Sequence, residues 1–191
     1  EIYMGDWSSD VCSSDLGRAR APRERRCARA PHVREPLTVT ARDSDATEAF
    51  GARLARAMPG VTAAPAVVFL QGDLGSGKTT LARGFLRALA VTDTVRSPTY
   101  TLLERYDTPA ATVVHLDLYR LRSAAELDSL GIAELHRAGH VWLVEWPERG
   151  AGRLPDADAV VELRAGPGSH EIQLVPRTLF GEDWVRRMLG S

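Results

Sequence analysis

Lysine is almost absent from this sequence. Of 24 basic side chains in 191 residues, one is a lysine, Lys78, and the other 23 are arginines. Average usage would put roughly ten lysines in such a chain. Chemistry that needs a lysine must therefore use Lys78, and sites with two lysines or a guanine-reading Asn-Lys-x-Asp loop are excluded. Cysteine is scarce as well, and Cys12 with Cys27 makes neither a disulfide framework nor a zinc site. No run approaches the roughly 18 apolar residues of a membrane span. The start lacks a basic segment followed by an apolar one, so neither secretion nor a membrane is expected, and the cytoplasm is the expected compartment. Charge of one sign is missing too: the net charge of −1 gives no overall pull toward DNA, RNA or acidic lipid.

What is present describes a globular protein of about one domain, with 44% hydrophobic and 26% charged residues. The composition changes near residue 37. Residues 17–34 carry seven arginines against one glutamate, and residues 1–16 show no helical or strand periodicity. Such a stretch buries too little apolar surface to offset the entropy of ordering. The string DWSSDVCSSDL resembles translated sequencing-adapter sequence. Residues 1–36 are therefore expected to be a disordered or non-native extension, and 37–191 the working domain.

From Leu37 onward the pattern is regular. Strands are expected at 37–41, 66–71, 100–107, 112–119, 141–146, 159–165 and 170–176. Helices are expected after Asp43 or Ser44, over 79–90, over 123–139 with an interruption at Gly131, and around Trp184. The segments 66–71 and 141–146 are continuously apolar, as strands buried on both faces are. This order predicts an α/β fold: a mainly parallel sheet flanked by helices, with a C-terminal β-hairpin. Leu127, Leu130, Ile132 and Leu135 fall at helical spacing and read as core.

The strongest motif is Gly72-Asp73-Leu74-Gly75-Ser76-Gly77-Lys78-Thr79, followed by Thr80, which satisfies G-x-x-x-x-G-K-[ST] between a buried strand and a helix. Each residue type has a reason. Glycines admit backbone angles and close approaches that a Cβ forbids. Successive N–H groups then form a nest for a phosphate at the positive end of the helix. Lys78 can reach the β- and γ-oxygens, and the Thr79 hydroxyl can ligate Mg²⁺. A nucleoside triphosphate is the expected ligand.

Such a loop needs carboxylates at the ends of neighbouring buried strands. Asp117 closes the run Val113-Val114-His115-Leu116, and Glu145 closes Val141-Trp142-Leu143-Val144. Carboxyl ends of strands are where open α/β sheets bind ligands. Asp117 is expected at the metal and Glu145 at the attacking water, with both near the Mg²⁺ shell. His115 reads as a core or sheet-face histidine. Thr99, in the hydroxyl-rich segment Ser97-Pro98-Thr99-Tyr100-Thr101, reads equally as part of a loop that senses the γ-phosphate or of an ordinary helix-to-strand connection. Trp146 beside Pro147 reads equally as a packing anchor or as an indole offered to a partner or nucleotide.

The ordered motifs GDLGSGKTT (72–80), SPTYTLL (97–103), HLDLYRL (115–121), D-x-L-G-I (128–132) and VEWPERG (144–150) resemble the TsaE family. These are bacterial ATPases of the threonylcarbamoyl-adenosine (t6A) modification of tRNA. The resemblance implies ATP and Mg²⁺, hydrolysis to ADP and phosphate, and partners of the TsaD and TsaB kinds. It implies weak turnover without them, and leaves direct tRNA contact open. It also implies phosphate and metal roles for Lys78 and Thr79, a switch-like loop at Thr99, and Asp117 near the metal. Glu145 would then serve hydrolysis, with Trp146 alongside. A small-molecule or nucleotide kinase and a nucleotide-gated adaptor are the alternatives. Against a kinase, about 155 residues leave little room for an acceptor domain, and no arginine-rich lid is visible.

Overall fold

The computed structural model describes residues 35–93, 95, 97–166 and 168–190. The extension expected over residues 1–36 lies outside them, apart from its last two positions. The described strands are β1 (Leu37–Ala41), β2 (Ala66–Gln71), β3 (Leu103–Asp107), β4 (Thr112–Asp117), β5 (His140–Glu145), β6 (Ala159–Gly166) and β7 (Ser169–Pro176). The helices are α1 (Ser44–Arg56), α2 (Lys78–Ala88), the single turns α3 (Glu126–Ser129) and α4 (Ile132–Leu135), and α5 (Leu179–Gly190).

The strands form one sheet in the order β1-β7-β6-β2-β5-β4-β3. The middle four, β6-β2-β5-β4, run parallel. The flanking pairs β3–β4, β6–β7 and β1–β7 are antiparallel, which includes the hairpin expected from β6 and β7. Chemistry follows position. β2, β4 and β5 lie inside the sheet and are almost wholly buried, as their unbroken apolar runs require. β1 lies at an edge and alternates exposed Thr38 and Thr40 with half-buried Leu37 and Val39.

Each face of the sheet carries its own apolar layer. On one face α1, α2 and α5 bury Leu54, Leu81, Phe85 and Trp184 against Val68, Leu70 and Leu143. The Trp184 indole N–H donates to the Leu54 carbonyl at 2.8 Å, so its one polar atom is satisfied in the core. On the other face Trp142, Leu116 and Val144 pack against Leu127 and Ile132. Leu130 and Leu135 pack against the same cluster, which bears out the core reading of that apolar stripe.

Several boundaries move. β3 begins at Leu103 rather than at Tyr100, because Leu102 N–H closes a turn onto Pro98 O at 2.6 Å and Leu102 takes φ +62°. β4 ends at Asp117, two residues early. The helix expected over 123–139 exists only as α3 and α4, separated by Gly131 at φ +63°. A left-handed residue there ends one turn and starts the next.

The Asp43 side chain caps α1 by accepting from Ala46 N–H at 2.7 Å. α1 then lies directly on α2 through two glycines. A Cβ on Gly51 would stand 2.0 Å from Leu81 O, and one on Gly84 would stand 1.9 Å from Glu48 O. Backbone meets backbone, so no side chain can yield. Gly84→Ala is expected to lower unfolding stability by at least about 2 kcal/mol despite alanine's better helix propensity, because overpacking outweighs it. Urea unfolding checks this, and an unchanged midpoint would mean the helices do not meet here.

Candidate functional site

The loop between β2 and α2 takes the backbone path its glycines allow. Gly72, Gly75 and Gly77 have φ of +144°, +80° and +99°. At Gly72 a Cβ would meet Leu163 O at 2.3 Å, whereas at Gly75 it would meet nothing within 4 Å. The first glycine is thus required by packing, and the second faces open space at the cleft. Thr47 of α1 stands 3.3 Å from the corresponding position on Gly77, so α1 backs the loop as well as α2.

Lys78 is only 4% exposed. Its ammonium donates to Gly72 O at 2.7 Å and Asp73 O at 2.8 Å, and lies 4.0 Å from the centre of the Trp146 ring. Burial lowers its pKa below the ordinary lysine value, opposed by the charges of Glu145 and, after it, Asp117. The Thr79 hydroxyl lies 3.0 Å from both oxygens of Glu145. Asp117 accepts from Thr99 Oγ1 at 2.7 Å, from Tyr119 N–H at 3.0 Å, and from the Ser97 hydroxyl.

Parallel pairing of β4 with β5 sets Asp117 beside Glu145 in register. Both carboxylates are buried, at 3% and 2% exposure. Leu74, Gly75, Gly77, Lys78, Thr79, Thr80, Thr99, Asp117 and Glu145 line one cleft of about 500 Å³, together with Ser97 and Trp146. Asp73 and Ser76 do not line it. Asp73 contributes its carbonyl to Lys78, and Ser76 is fully buried beneath the loop. Thr79 touches Glu145, whereas Asp117 engages the 97–99 loop.

Three features were not anticipated. His115 is buried, as a core histidine would be, yet its Nε2 lies 2.9 Å from Glu145 Oε1. The signal was available: His115 and Asp117 are two apart on a strand and so share a face. Tyr119 and Arg120 also line the cleft, directly after Asp117 in sequence. Tyr119 packs against Trp146 with ring centres 5.0 Å apart and planes tilted by 47°, and the Arg120 guanidinium lies 4.2 Å over the Tyr100 ring. Trp146 itself sits at φ +58°, a left-handed conformation that is strained for a bulky residue. That turn carries the chain out of β5 and lays the indole over Lys78.

A buried parallel strand, a glycine loop and a helix that starts on Lys78, faced by two strand-end carboxylates, define an α/β protein of the P-loop class. Comparison with known proteins narrows this. The family model described as threonylcarbamoyl adenosine biosynthesis protein TsaE matches residues 41–172, and the chain belongs to the TsaE family. A Haemophilus influenzae protein named tRNA threonylcarbamoyladenosine biosynthesis protein TsaE is 37% identical over 152 residues, covering 79% of this chain and 96% of that one. A Bacillus subtilis protein of the same name is 38% identical over 107 residues, covering 56% of this chain and 66% of that one. The crystal structure of Bacillus subtilis YdiB superposes with a TM-score of 0.65 at 27% identity, covering 82% of this chain and 95% of that one.

Because Lys78 is the one lysine, its titration can be followed without assignment by NMR of isotope-labelled lysine. Its pKa is expected below the ordinary value of about 10.4. Glu145→Gln should lower it further, since Glu145 is the largest influence raising it. The folded chain then binds fewer protons than the unfolded chain between the two pKa values. The burial penalty on Lys78 is therefore in force below the folded pKa, and stability rises as pH climbs through it. A pKa at or above the ordinary value would contradict the burial of the ammonium.

Proposed function

We propose that this protein hydrolyses ATP to ADP and phosphate with Mg²⁺, in support of t6A modification of tRNA. The observation that carries this reading is the phosphate loop meeting two buried carboxylates. Lys78, Thr79, Asp117 and Glu145 line the same cleft, with the Thr79 hydroxyl 3.0 Å from both Glu145 oxygens. Of the buried charges in the cleft one is an ammonium and two are carboxylates, an excess of negative charge that suits a divalent cation, while Arg120 lines the cleft from an exposed position. Among the described residues no group of three or more His, Cys, Asp or Glu side chains could hold a metal. Mg²⁺ does not require such a cage, because it is commonly held by one or two carboxylates with a hydroxyl, waters and substrate phosphates.

Thr79, Asp117 and Glu145 would hold the ion and its waters, and Lys78 with the amides of residues 73–80 would hold the phosphates. Bound there, Mg²⁺ would neutralise charge developing on the γ-phosphoryl group. Glu145 additionally orients the attacking water. Water adds in line to the γ-phosphorus, the bond to the β–γ bridging oxygen breaks, and ADP leaves with that oxygen. Thr99, tied to Asp117, couples the 97–101 loop to the state of the cleft.

Partners resembling TsaD and TsaB are expected to raise the turnover. The process itself is supported by family membership and by the names of the relatives. The alternatives, a kinase and an adaptor with negligible turnover, rest on no specific contact described above.

Phosphate release should be measured on the purified chain with and without TsaD-like and TsaB-like subunits. Absence of release in both conditions would sink the hydrolytic reading, and transfer of labelled phosphate to a small acceptor would replace it with a kinase. Lys78→Ala is expected to weaken ATP by about tenfold or more and to abolish release. Glu145→Gln should lower turnover by about a hundredfold while nucleotide affinity stays within a few-fold. A lost affinity with unchanged turnover would confine Glu145 to the metal shell.

A further inference from the structure

We propose that His115 is a positioning residue for Glu145, fixing the carboxylate's pose toward Thr79 through a hydrogen bond from its Nε2–H. The role assigned to His115 builds on the hydrolytic reading of the cleft and adds a residue to it.

His115 lies on β4 between Leu143 of β5 and Glu104 of β3, and its side chain is fully buried. Its Nε2 is 2.9 Å from Glu145 Oε1. A carboxylate only accepts, so Nε2 must carry the proton. The other ring nitrogen, Nδ1, is buried and has no hydrogen-bond partner among the described residues. With no acceptor at Nδ1, the bond to Glu145 is the one hydrogen bond of the ring among the described residues, and it is made through Nε2–H.

Glu145 is buried and makes two kinds of contact, with the Thr79 hydroxyl and with His115. Thr79 belongs to the phosphate loop and stands to turn toward a metal when nucleotide binds. The imidazole belongs to the sheet, where flanking strands hold it. The bond from His115 is therefore the rigid anchor of the carboxylate, and the bond from Thr79 is the exchangeable one. Outer partners of this sort orient a ligating carboxylate and fix its basicity. A histidine that served packing alone would need no polar partner, and leucine would fill its place.

Two measurements test the assignment. Nitrogen-15 NMR of labelled histidine, with His115 identified by its loss in His115→Gln, is expected to show a protonated Nε2. Glu145→Gln should shift the Nε2 resonance. In parallel, kcat, KM and Mg²⁺-free nucleotide affinity are compared for the unaltered chain, His115→Leu and His115→Gln, each with the partner subunits present. His115→Leu should lower kcat by about tenfold or more, with Mg²⁺-free affinity unchanged. His115→Gln, which keeps a donor near the same place, should recover most of the rate. A bare Nε2, a His115→Leu chain as fast as the original, or a Gln variant as slow as the Leu variant would each overturn the assignment. If His115→Leu fails to fold, the tautomer and the Gln variant decide between the same outcomes. If the unaltered chain releases no phosphate at all, the hydrolytic reading falls, while the tautomer still decides whether the anchoring bond exists.

Discussion

Two carboxylates held side by side in a sheet interior must be compensated, and much of the site follows from that requirement. β4 pairs with β5 so that Asp117 stands opposite Glu145, and neither is in useful contact with bulk water. An isolated buried charge is costly, so each must find donors. Glu145 finds Thr79 and His115. Asp117 finds Ser97, Thr99 and the Tyr119 amide. These partners come from the phosphate loop, the 97–99 loop and the sheet itself. The pair thereby ties together segments far apart in sequence.

The supporting fold is organised to hold that pair still. Parallel strands buried on both faces carry the carboxylates at their ends, and the glycine contacts of α1 with α2 bring a second helix down behind the loop. Thr47 reaches Gly77 only because Gly51 and Gly84 let the helices approach to backbone contact. The packing of α1 is thus part of the loop's support. A substitution there would act on the cleft through geometry rather than through any contact within it.

The strands and the loop were legible in the sequence because their signals are local. β2 and β5 are unbroken apolar runs, and Gly72, Gly75 and Gly77 each answer a backbone demand that can be named in advance. The helix expected over 123–139 was less legible, since apolar spacing at Leu127, Ile132 and Leu135 is equally met by two single turns around Gly131. The start of β3 was misplaced for a related reason. Tyr100 and Thr101 favour strands, but the bond from Leu102 to Pro98 turns the chain first. Contacts across the sheet were the hardest to see. That Thr79 meets Glu145 rather than Asp117 depends on β5 lying next to β2, which no local pattern specifies. The bond from His115 to Glu145 depends on the same strand order.

The near-absence of lysine acquires a structural meaning at this point. Arginine carries the positive charge at the other described basic positions, and a broad planar guanidinium has room there, as at Arg120 over Tyr100 and Arg149 over Tyr119. Position 78 is different. The cation there is enclosed by the Gly72 and Asp73 carbonyls, which accept at 2.7 and 2.8 Å, and by the Trp146 ring 4.0 Å away. A single nitrogen on a thin stem can donate to two converging carbonyls while its third N–H reaches toward Ser76 Oγ at 3.5 Å. A guanidinium spreads its donors over a rigid fork and would collide with one wall to reach the other. The left-handed turn at Trp146 reinforces this, since it places the indole as that wall at the expense of backbone strain. One lysine therefore remains where size, more than charge, selects the side chain.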